Sequence, residues 1–380
     1  MRVAILMKRY SLLRGGGEYD LVRLSRSLLD RGHEVHLFIN DVEGEPDPRL
    51  HLHPVPMNRT WAPLKILSFA KNAPREVERS GLQFDVVHAM TQAYPSDLFW
   101  NGGGLQINWL PARYGKDALR WARFHPRHAA NLSVEKKIFE PGNYRQIVCL
   151  SEMERNEITG YYGVPEDRFH VIPNGIDPER FNLSVRGRFR DSVRKNLNVE
   201  GDRKVLLFVG SDWIRKGVRQ LLEALSKMRT PFDGLLVLAG NDPPSKWIPL
   251  VRQLGLEGKV RFHGREREVE RLYAAADLLV LASVFDGYGN VIPEAMGCGC
   301  PILTAASVGA ADFVEEGRTG WILRDVRNRE EYAAILELAL RNSDLEEMGK
   351  QAASKVAPFT WDWTVDRLVE VYERISADKP

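Results

Sequence analysis

Cysteine is scarce in this 380-residue chain, with only Cys149, Cys298 and Cys300 present. Three is too few, and the wrong parity, for a disulfide framework, and points to a reducing compartment. Cys298-Gly299-Cys300 lacks the further Cys or His ligands of a zinc site, so small residues packing at a helix end is the favoured reading. No run of about 18 apolar residues occurs, so no segment reads as membrane-spanning. The apolar core of Met1-Arg2-Val3-Ala4-Ile5-Leu6-Met7-Lys8 is too short for a secretory signal, and a cytoplasmic location is expected. Asp-x-Asp is missing, so a metal-bridged diphosphate is not indicated and no metal is expected. Also missing are Gly-x4-Gly-Lys-Ser/Thr, which excludes a P-loop, and Gly-x-Gly-x-x-Gly, which argues against a dinucleotide enzyme. An excess of one charge is lacking too. The 53 Lys and Arg against 51 Asp and Glu leave +2, and without a recognisable module nucleic acid is not an expected partner. The nine histidines are scattered and show no metal-ligand spacing supported by carboxylates.

What remains is an ordinary globular composition, 44% apolar and 27% charged, in a chain long enough for two cores. Short apolar runs alternate with helical patterns. Residues 3–7, 34–39, 85–88 and 146–150 read as strands, with helices over 18–31 and 152–162. The pattern breaks at Val171-Ile172-Pro173-Asn174-Gly175-Ile176-Asp177, and the arginine-rich 186–195 that follows reads as a solvated connector. A second alternation has strands over 205–209, 235–239, 260–263, 278–282 and 301–304. The expected fold is α/β, two tandem domains with doubly wound parallel sheets, 1–172 and 173–359. A C-terminal helix over 360–380 crosses back to the first. Ligands of such sheets lie beyond the carboxyl ends of the strands, which favours a cleft between the domains.

Three loops carry chemistry. Ser283-Val284-Phe285-Asp286-Gly287-Tyr288-Gly289-Asn290-Val291-Ile292-Pro293-Glu294 follows a continuous apolar strand and places two acids eight residues apart. Backbone N–H groups there suit an anion, and Glu294, one turn into a helix, suits hydroxyl groups. Gly210-Ser211-Asp212-Trp213-Ile214-Arg215-Lys216-Gly217 also follows a strand, and its cations can neutralise a diphosphate. Positive charge opening a helix opposes the dipole, so an anionic partner is expected. Arg14-Gly15-Gly16-Gly17-Glu18 permits close backbone approach to a ligand.

These loops, with Val171-Ile172-Pro173-Asn174-Gly175-Ile176-Asp177-Pro178-Glu179-Arg180-Phe181, resemble the retaining family 4 glycosyltransferases of GT-B fold over nearly the whole chain. Within that family the sequence is most similar to the glucosyltransferases that add the first glucose to the lipopolysaccharide inner core. The shared features are Gly210-Ser211-Asp212, Arg215-Lys216-Gly217-Val218, and Gly264-Arg265 before a Leu-x-Ala-Ala-Ala-Asp run. The resemblance implies that Arg215 and Lys216 hold the donor diphosphate, that Asp286 lies near the donor sugar as a catalytic group, and that Glu294 binds the ribose. It also implies that Gly287, Tyr288 and Gly289 contact sugar and phosphate through the backbone, that Arg265 borders the base, and that Gly15 and Gly16 face the diphosphate from the first domain. Asp286 is one methylene shorter than the glutamate usual in the family, and Ser211 stands where many members have arginine. Asn101-Gly102-Gly103-Gly104-Leu105-Gln106 replaces an acceptor-side His or Asp of related sequences, so no general base is assigned; His88, closing a strand, is a candidate for acceptor contact.

Arg113, Lys116, Arg120, Arg123 and Arg127 are spaced three and four apart, as on one helical face, with Trp109, Tyr114, Trp121 and Phe124 interleaved. Such a segment suits an anionic membrane surface or an anionic acceptor. The expected protein is a hexosyltransferase with a nucleotide-sugar substrate (UDP-glucose), no cofactor, and a glycolipid acceptor such as lipopolysaccharide inner core. It would lie peripherally on the inner face of the cytoplasmic membrane. Another sugar donor for a glycolipid or exopolysaccharide enzyme, a nucleotide-sugar epimerase, and a non-catalytic nucleotide-sugar-binding protein are the alternatives.

Overall fold

The computed structural model describes residues 1–11 and 16–379, and the chain divides into two compact units, Met1–Gly175 with Trp361–Pro380, and Ile176–Thr360. In the first unit the strands are β1 (Arg2–Ser11), β2 (Glu34–Glu43), β3 (His51–Pro54), β4 (Val86–Ala89), β5 (Leu98–Asn101), β6 (Gln146–Cys149) and β7 (Phe169–Val171). Its helices are α1 (Gly17–Asp30), α2 (Ala62–Arg79), α3 (Gln106–Tyr114), α4 (Ala118–Ala122), α5 (Pro126–Ile138) and α6 (Glu152–Tyr162). The second unit has β8 (Val205–Val209), β9 (Leu235–Ala239), β10 (Val260–Gly264), β11 (Leu278–Leu281), β12 (Ile302–Ala305) and β13 (Gly320–Leu323). Its helices are α7 (Ser184–Asn196), α8 (Val218–Ser226), α9 (Ile248–Gln253), α10 (Val269–Ala275), α11 (Val291–Gly297), α12 (Arg329–Arg341) and α13 (Leu345–Val356). Helix α14 (Trp361–Ala377) belongs to the first unit.

Every strand pairing is parallel, and the two sheets repeat one winding: β3-β2-β1-β4-β5-β6-β7 and β10-β9-β8-β11-β12-β13. The central strands are apolar without alternation because helices cover both faces: β9 (LLVLA) and β11 (LLVL) are buried at every position. Helix α1 shows the complementary rule, burying Leu21, Leu24 and Leu28 at helical spacing on one face. In each sheet the strand order reverses beside the first strand, between β1 and β4 and between β8 and β11. Ligands bind at such switch points, where adjacent loops diverge and leave a crevice.

Helix α14 packs on the first unit's sheet as the periodicity predicts. Its Tyr372 hydroxyl lies 2.7 Å from His88 Nδ1, Thr364 Oγ1 donates to Pro173 O at 2.9 Å, and Asp366 pairs with Arg31 at 2.8 Å. His88 is consequently not an acceptor contact. It is fully buried beneath Tyr372 and Trp100, and burial pushes its imidazole down to about 3, so it stays neutral.

The arginine-rich connector is a second correction. Residues 184–196 form α7, and Arg186, Arg190 and Arg194, four apart on one face, dock onto the C-terminal end of α10 and the start of β11. Arg190 donates to the carbonyls of Ala274, Ala275 and Ala276 and pairs with Asp277, which Arg194 also contacts at 3.1 Å. Carbonyls left open at a helix end attract such cations. A charge run read as solvated is a structural clamp.

Candidate functional site

In the second unit the loops after β8 and β11 emerge side by side at the switch point. Residues 210–217 leave β8 in tight turns, and α8 begins only at Val218 with Gly217 as its cap. Arg215 and Lys216 therefore lie just before the helix rather than in its first turn. Asp212 holds a left-handed backbone (φ 61), uncommon outside glycine, and Asp242 pins it by accepting from the N–H groups of Asp212 (2.8 Å) and Trp213 (3.3 Å). Trp213 is buried, donates through Nε1 to Gly210 O at 2.7 Å and stacks on Phe262.

The turn presents its two cations to the neighbouring loop. Arg215 Nε donates to Asp212 Oδ2 (3.0 Å), and its Nη1 donates to Phe285 O (2.7 Å) and lies 3.6 Å from Asp286 Oδ1. Lys216 Nζ lies 3.0 Å from Asp286 Oδ2. Burial pushes the Asp286 carboxyl up, but Lys216 and Arg215 outweigh it and hold the group below its ordinary range. Within the chain these cations are paired with Asp212 and Asp286.

The loop after β11 is itself strapped down. Asp286 N donates to Ser307 O (3.0 Å), Gly309 N to Asp286 O (3.0 Å) and Ala310 N to Tyr288 O (2.7 Å), so residues 307–310 form its floor. Tyr288 is buried, and Gly289 has φ 92 with Val308 3.1 Å from where its Cβ would be. Five residues beyond Gly289, Glu294 accepts from Tyr273 Oη at 2.9 Å, and burial pushes its carboxyl up to about 7. Arg265 is exposed, directly after Gly264 (φ 82) at the end of β10. Arg215, Lys216, Asp286 and Glu294 share one end of one sheet. A cavity of about 550 Å³ in the second unit lies at the opposite end, among Lys204, Phe232 and Arg341.

In the first unit Gly16 caps α1 with φ 73 and ψ −144, a conformation that suits glycine, and Gly15 lies outside the described residues. A cavity of about 300 Å³ opens beyond the carboxyl ends of β4 and β5, among Asp20, Gln92, Trp100, Asn101, Gly102 and Glu135. Its polar walls of amide, carboxylate and backbone, beside the apolar Trp100, Phe99, Ile138 and Phe139, suit sugar hydroxyls and a sugar face. Glu135 accepts from the backbone of Gln106 and Ile107 and from Tyr162 Oη, so it fixes the start of α3; burial pushes its carboxyl up. Lys8 Nζ donates to Gln92 Oε1 at 3.3 Å, and burial with Lys65 nearby lowers it to about 8. Lys8, Glu135 and Asp242 escaped the sequence reading. A lysine inside an apolar strand pattern was the one available signal.

The basic aromatic segment is not one helix. Gly115 (φ 95) ends α3 and residues 123–125 separate α4 from α5, so Arg113, Lys116, Arg120, Arg123 and Arg127 do not share a continuous helical face. The three short helices enclose a small core of Leu110, Ala118 and Ala122. Lys116, Arg120, Arg123 and Arg127 are exposed, and Phe124, 81% exposed, projects among them beside Tyr114 and Trp121. Among the described residues no helix is long and apolar enough to cross a membrane.

Two family models match in tandem: Glycosyltransferase Family 4 over residues 14–180 and Glycosyl transferases group 1 over residues 189–356. The chain is 28% identical to the lipopolysaccharide glucosyltransferase WaaG of Escherichia coli (strain K12), with 91% of each chain covered. It is 27% identical to the D-inositol 3-phosphate glycosyltransferase of Geodermatophilus obscurus, with 94% of this chain and 84% of that one covered. Among solved structures, a crystal structure of WaaG superposes with a TM-score of 0.81 at 24% identity, covering 97% of this chain and 99% of that one. Anabaena Alr3699/HepE in complex with UDP-glucose superposes at 0.70 and 20% identity, covering 98% and 100%.

Proposed function

The chain belongs to the family 4, group 1 glycosyltransferases of GT-B fold, and from that premise we propose that it transfers glucose from UDP-glucose to a membrane glycolipid of the lipopolysaccharide inner-core type. The observation that carries the reading is the pairing of Lys216 and Arg215 with Asp286 at the switch point of the second sheet, with Glu294 in the short helix α11 that follows the Asp286 loop. Arg215 and Lys216 take the donor diphosphate, a fork and a point charge respectively, and Glu294 accepts from the ribose hydroxyls. Backbone groups of Gly287, Tyr288 and Gly289 contact the sugar and phosphate, and Arg265 borders the base.

Asp286 orients both cations before the donor arrives, and beside the donor it faces the sugar. The bond from the anomeric carbon to the diphosphate oxygen breaks, and charge gathers on that oxygen beside Lys216 and Arg215. The acceptor hydroxyl oxygen bonds to the same carbon from the same face, and its proton passes to the departing phosphate, which retains the anomeric configuration. Arg215 and Lys216 do the work of charge stabilisation, so the reaction is metal-independent and transfer persists in a chelator.

The exposed Phe124 and Trp121 among four exposed cations favour an acceptor held in an anionic lipid surface, with the protein peripheral on the inner face of the membrane. The similarity to a D-inositol 3-phosphate glycosyltransferase favours a second reading, in which a soluble phosphorylated acceptor uses the same charges. Incubating the purified enzyme with UDP-, GDP- and ADP-sugars, against truncated lipopolysaccharide and soluble sugar phosphates, separates the two. Transfer of glucose from UDP-glucose to the lipid acceptor is expected. Absence of transfer from every donor, with UDP binding unchanged in Lys216→Ala and Glu294→Gln, overturns the donor-site assignment.

A further inference from the structure

At the amino ends of the first unit's strands, opposite the cavity beside Asn101, the parallel register gathers four polar side chains that the transfer reaction does not use. His36 pairs with His51 and Phe38 with His53 between β2 and β3, so Glu34, His36, His51 and His53 all point from one face of the sheet. His36 Nε2 lies 2.9 Å from Glu34 Oε1, and its Nδ1 lies 2.8 Å from His53 Nε2. The rings of His36 and His51 stack with centroids 4.5 Å apart. The ligand atoms of Glu34, His36 and His51 all lie within 4.8 Å of one another.

We propose that Glu34, His36 and His51 form a binding site for a divalent transition-metal ion, Zn2+ or a close analogue, that staples the edge strand β3 to β2. Two imidazoles and one carboxylate, with water completing the shell, are a zinc-type donor set; magnesium and calcium prefer oxygen throughout. Tetrahedral bonds of about 2.0–2.1 Å put ligand atoms roughly 3.4 Å apart, so closing the site requires the exposed His51 to leave its stack on His36 and turn a ring nitrogen toward the ion. The buried ring of His36 is already oriented. With Nε2 on the metal, Nδ1–H donates to His53 Nε2, the outer hydrogen bond that fixes the tautomer of a ligating histidine. Arg2 Nε, 3.0 Å from Glu34 Oε1, holds the carboxylate in place and competes for its charge. That competition favours modest over extreme affinity.

The site owes nothing to the donor loops, so its test is independent of the transferase reading. Full-length protein without an affinity tag, freed of metal with a chelator, is titrated with Zn2+ by calorimetry and with Co2+ by visible absorption. About one equivalent is expected to bind with micromolar affinity, to raise the melting temperature, and to give the intense absorption of tetrahedral cobalt. His51→Ala, on the exposed edge and safe for folding, should weaken binding at least about tenfold, and His53→Gln about 10- to 100-fold through orientation alone. Lys216→Ala should leave metal binding unchanged. Affinity weaker than about 100 µM, on the order of 5.5 kcal/mol, or an affinity unaltered in His51→Ala, overturns the proposal.

Discussion

Gly210 and Gly217 bracket the two cations of the second unit, and each is glycine for a steric reason. A Cβ on Gly210 (φ 147) would lie 2.8 Å from Lys216 Cδ, and one on Gly217 (φ 79) would lie 2.2 Å from Ala282 O. The first contact is with a flexible chain and the second with fixed backbone, so Gly217→Ala is the more damaging change. It should cost about 1–3 kcal/mol in urea unfolding and displace Lys216. Lys216→Ala tests the charge alone: kcat should fall about 100- to 1000-fold in a steady-state assay, with melting temperature little changed. Glu294 adds a pH signature. Its carboxyl, raised to about 7, is protonated below that pH and cannot accept from two ribose hydroxyls. UDP affinity measured by calorimetry should therefore rise between pH 6 and 8, and Glu294→Gln should flatten the profile. For the unliganded fold the sign is opposite. A carboxyl whose folded value lies above its unfolded value of about 4.3 stabilises the fold at low pH, and that contribution is lost as pH rises through 7.

At the scale of elements, the readings that failed share one cause: the sequence shows which residues are charged but not what they face. Strands 205–209 and 235–239 were legible to the residue because a strand covered on both sides must be continuously apolar. Helix α7 was not, since Arg186, Arg190 and Arg194 look like solvent-facing residues until α10 and Asp277 are placed against them. Asp277 is buried, and although burial pushes its carboxyl up, Arg190 and Arg194 outweigh that and hold it low. Asp277→Ala strands both cations and should destabilise by about 3 kcal/mol, read as a shift in the urea midpoint. The segment 106–138 failed in the converse way. The three-and-four spacing was real, but Gly115 and Pro126 divide it among three helices, leaving an exposed patch in place of a stripe. Neutralising Arg120, Arg123 and Arg127 should still weaken binding to anionic vesicles about 100-fold in a flotation assay, at roughly 1 kcal/mol per charge.

At the scale of the whole molecule, two sheets with one winding put the Asn101 cavity and the Lys216–Asp286 pair beyond the carboxyl ends of equivalent strands. The grouping of Arg215, Lys216, Asp286 and Glu294 was legible because it is contiguous: Arg215 and Lys216 adjoin in sequence, and Asp286 and Glu294 share one loop and its helix. The cluster of Glu34, His36, His51 and His53 was not, because only the β2–β3 register brings residues from separate strands together. The loop of Asn101 to Gln106 was visible, but not the support of Glu135 and Glu154 beneath it, which come from helices far along the chain. The division of labour makes a prediction that hydrogen exchange checks on the intact enzyme. UDP should protect residues 210–217 and 283–294, and raise the stability of the second unit by about 2.7 kcal/mol at a hundredfold excess over Kd. Anionic vesicles should instead protect residues 113–127 without altering the donor loops. Zn2+ should protect residues 34–54 alone. The three proposed sites lie on separate elements, so three separate footprints are the expected result. Protection of the donor loops by vesicles, or of residues 113–127 by UDP, would place the two binding chemistries in one site and overturn this assignment.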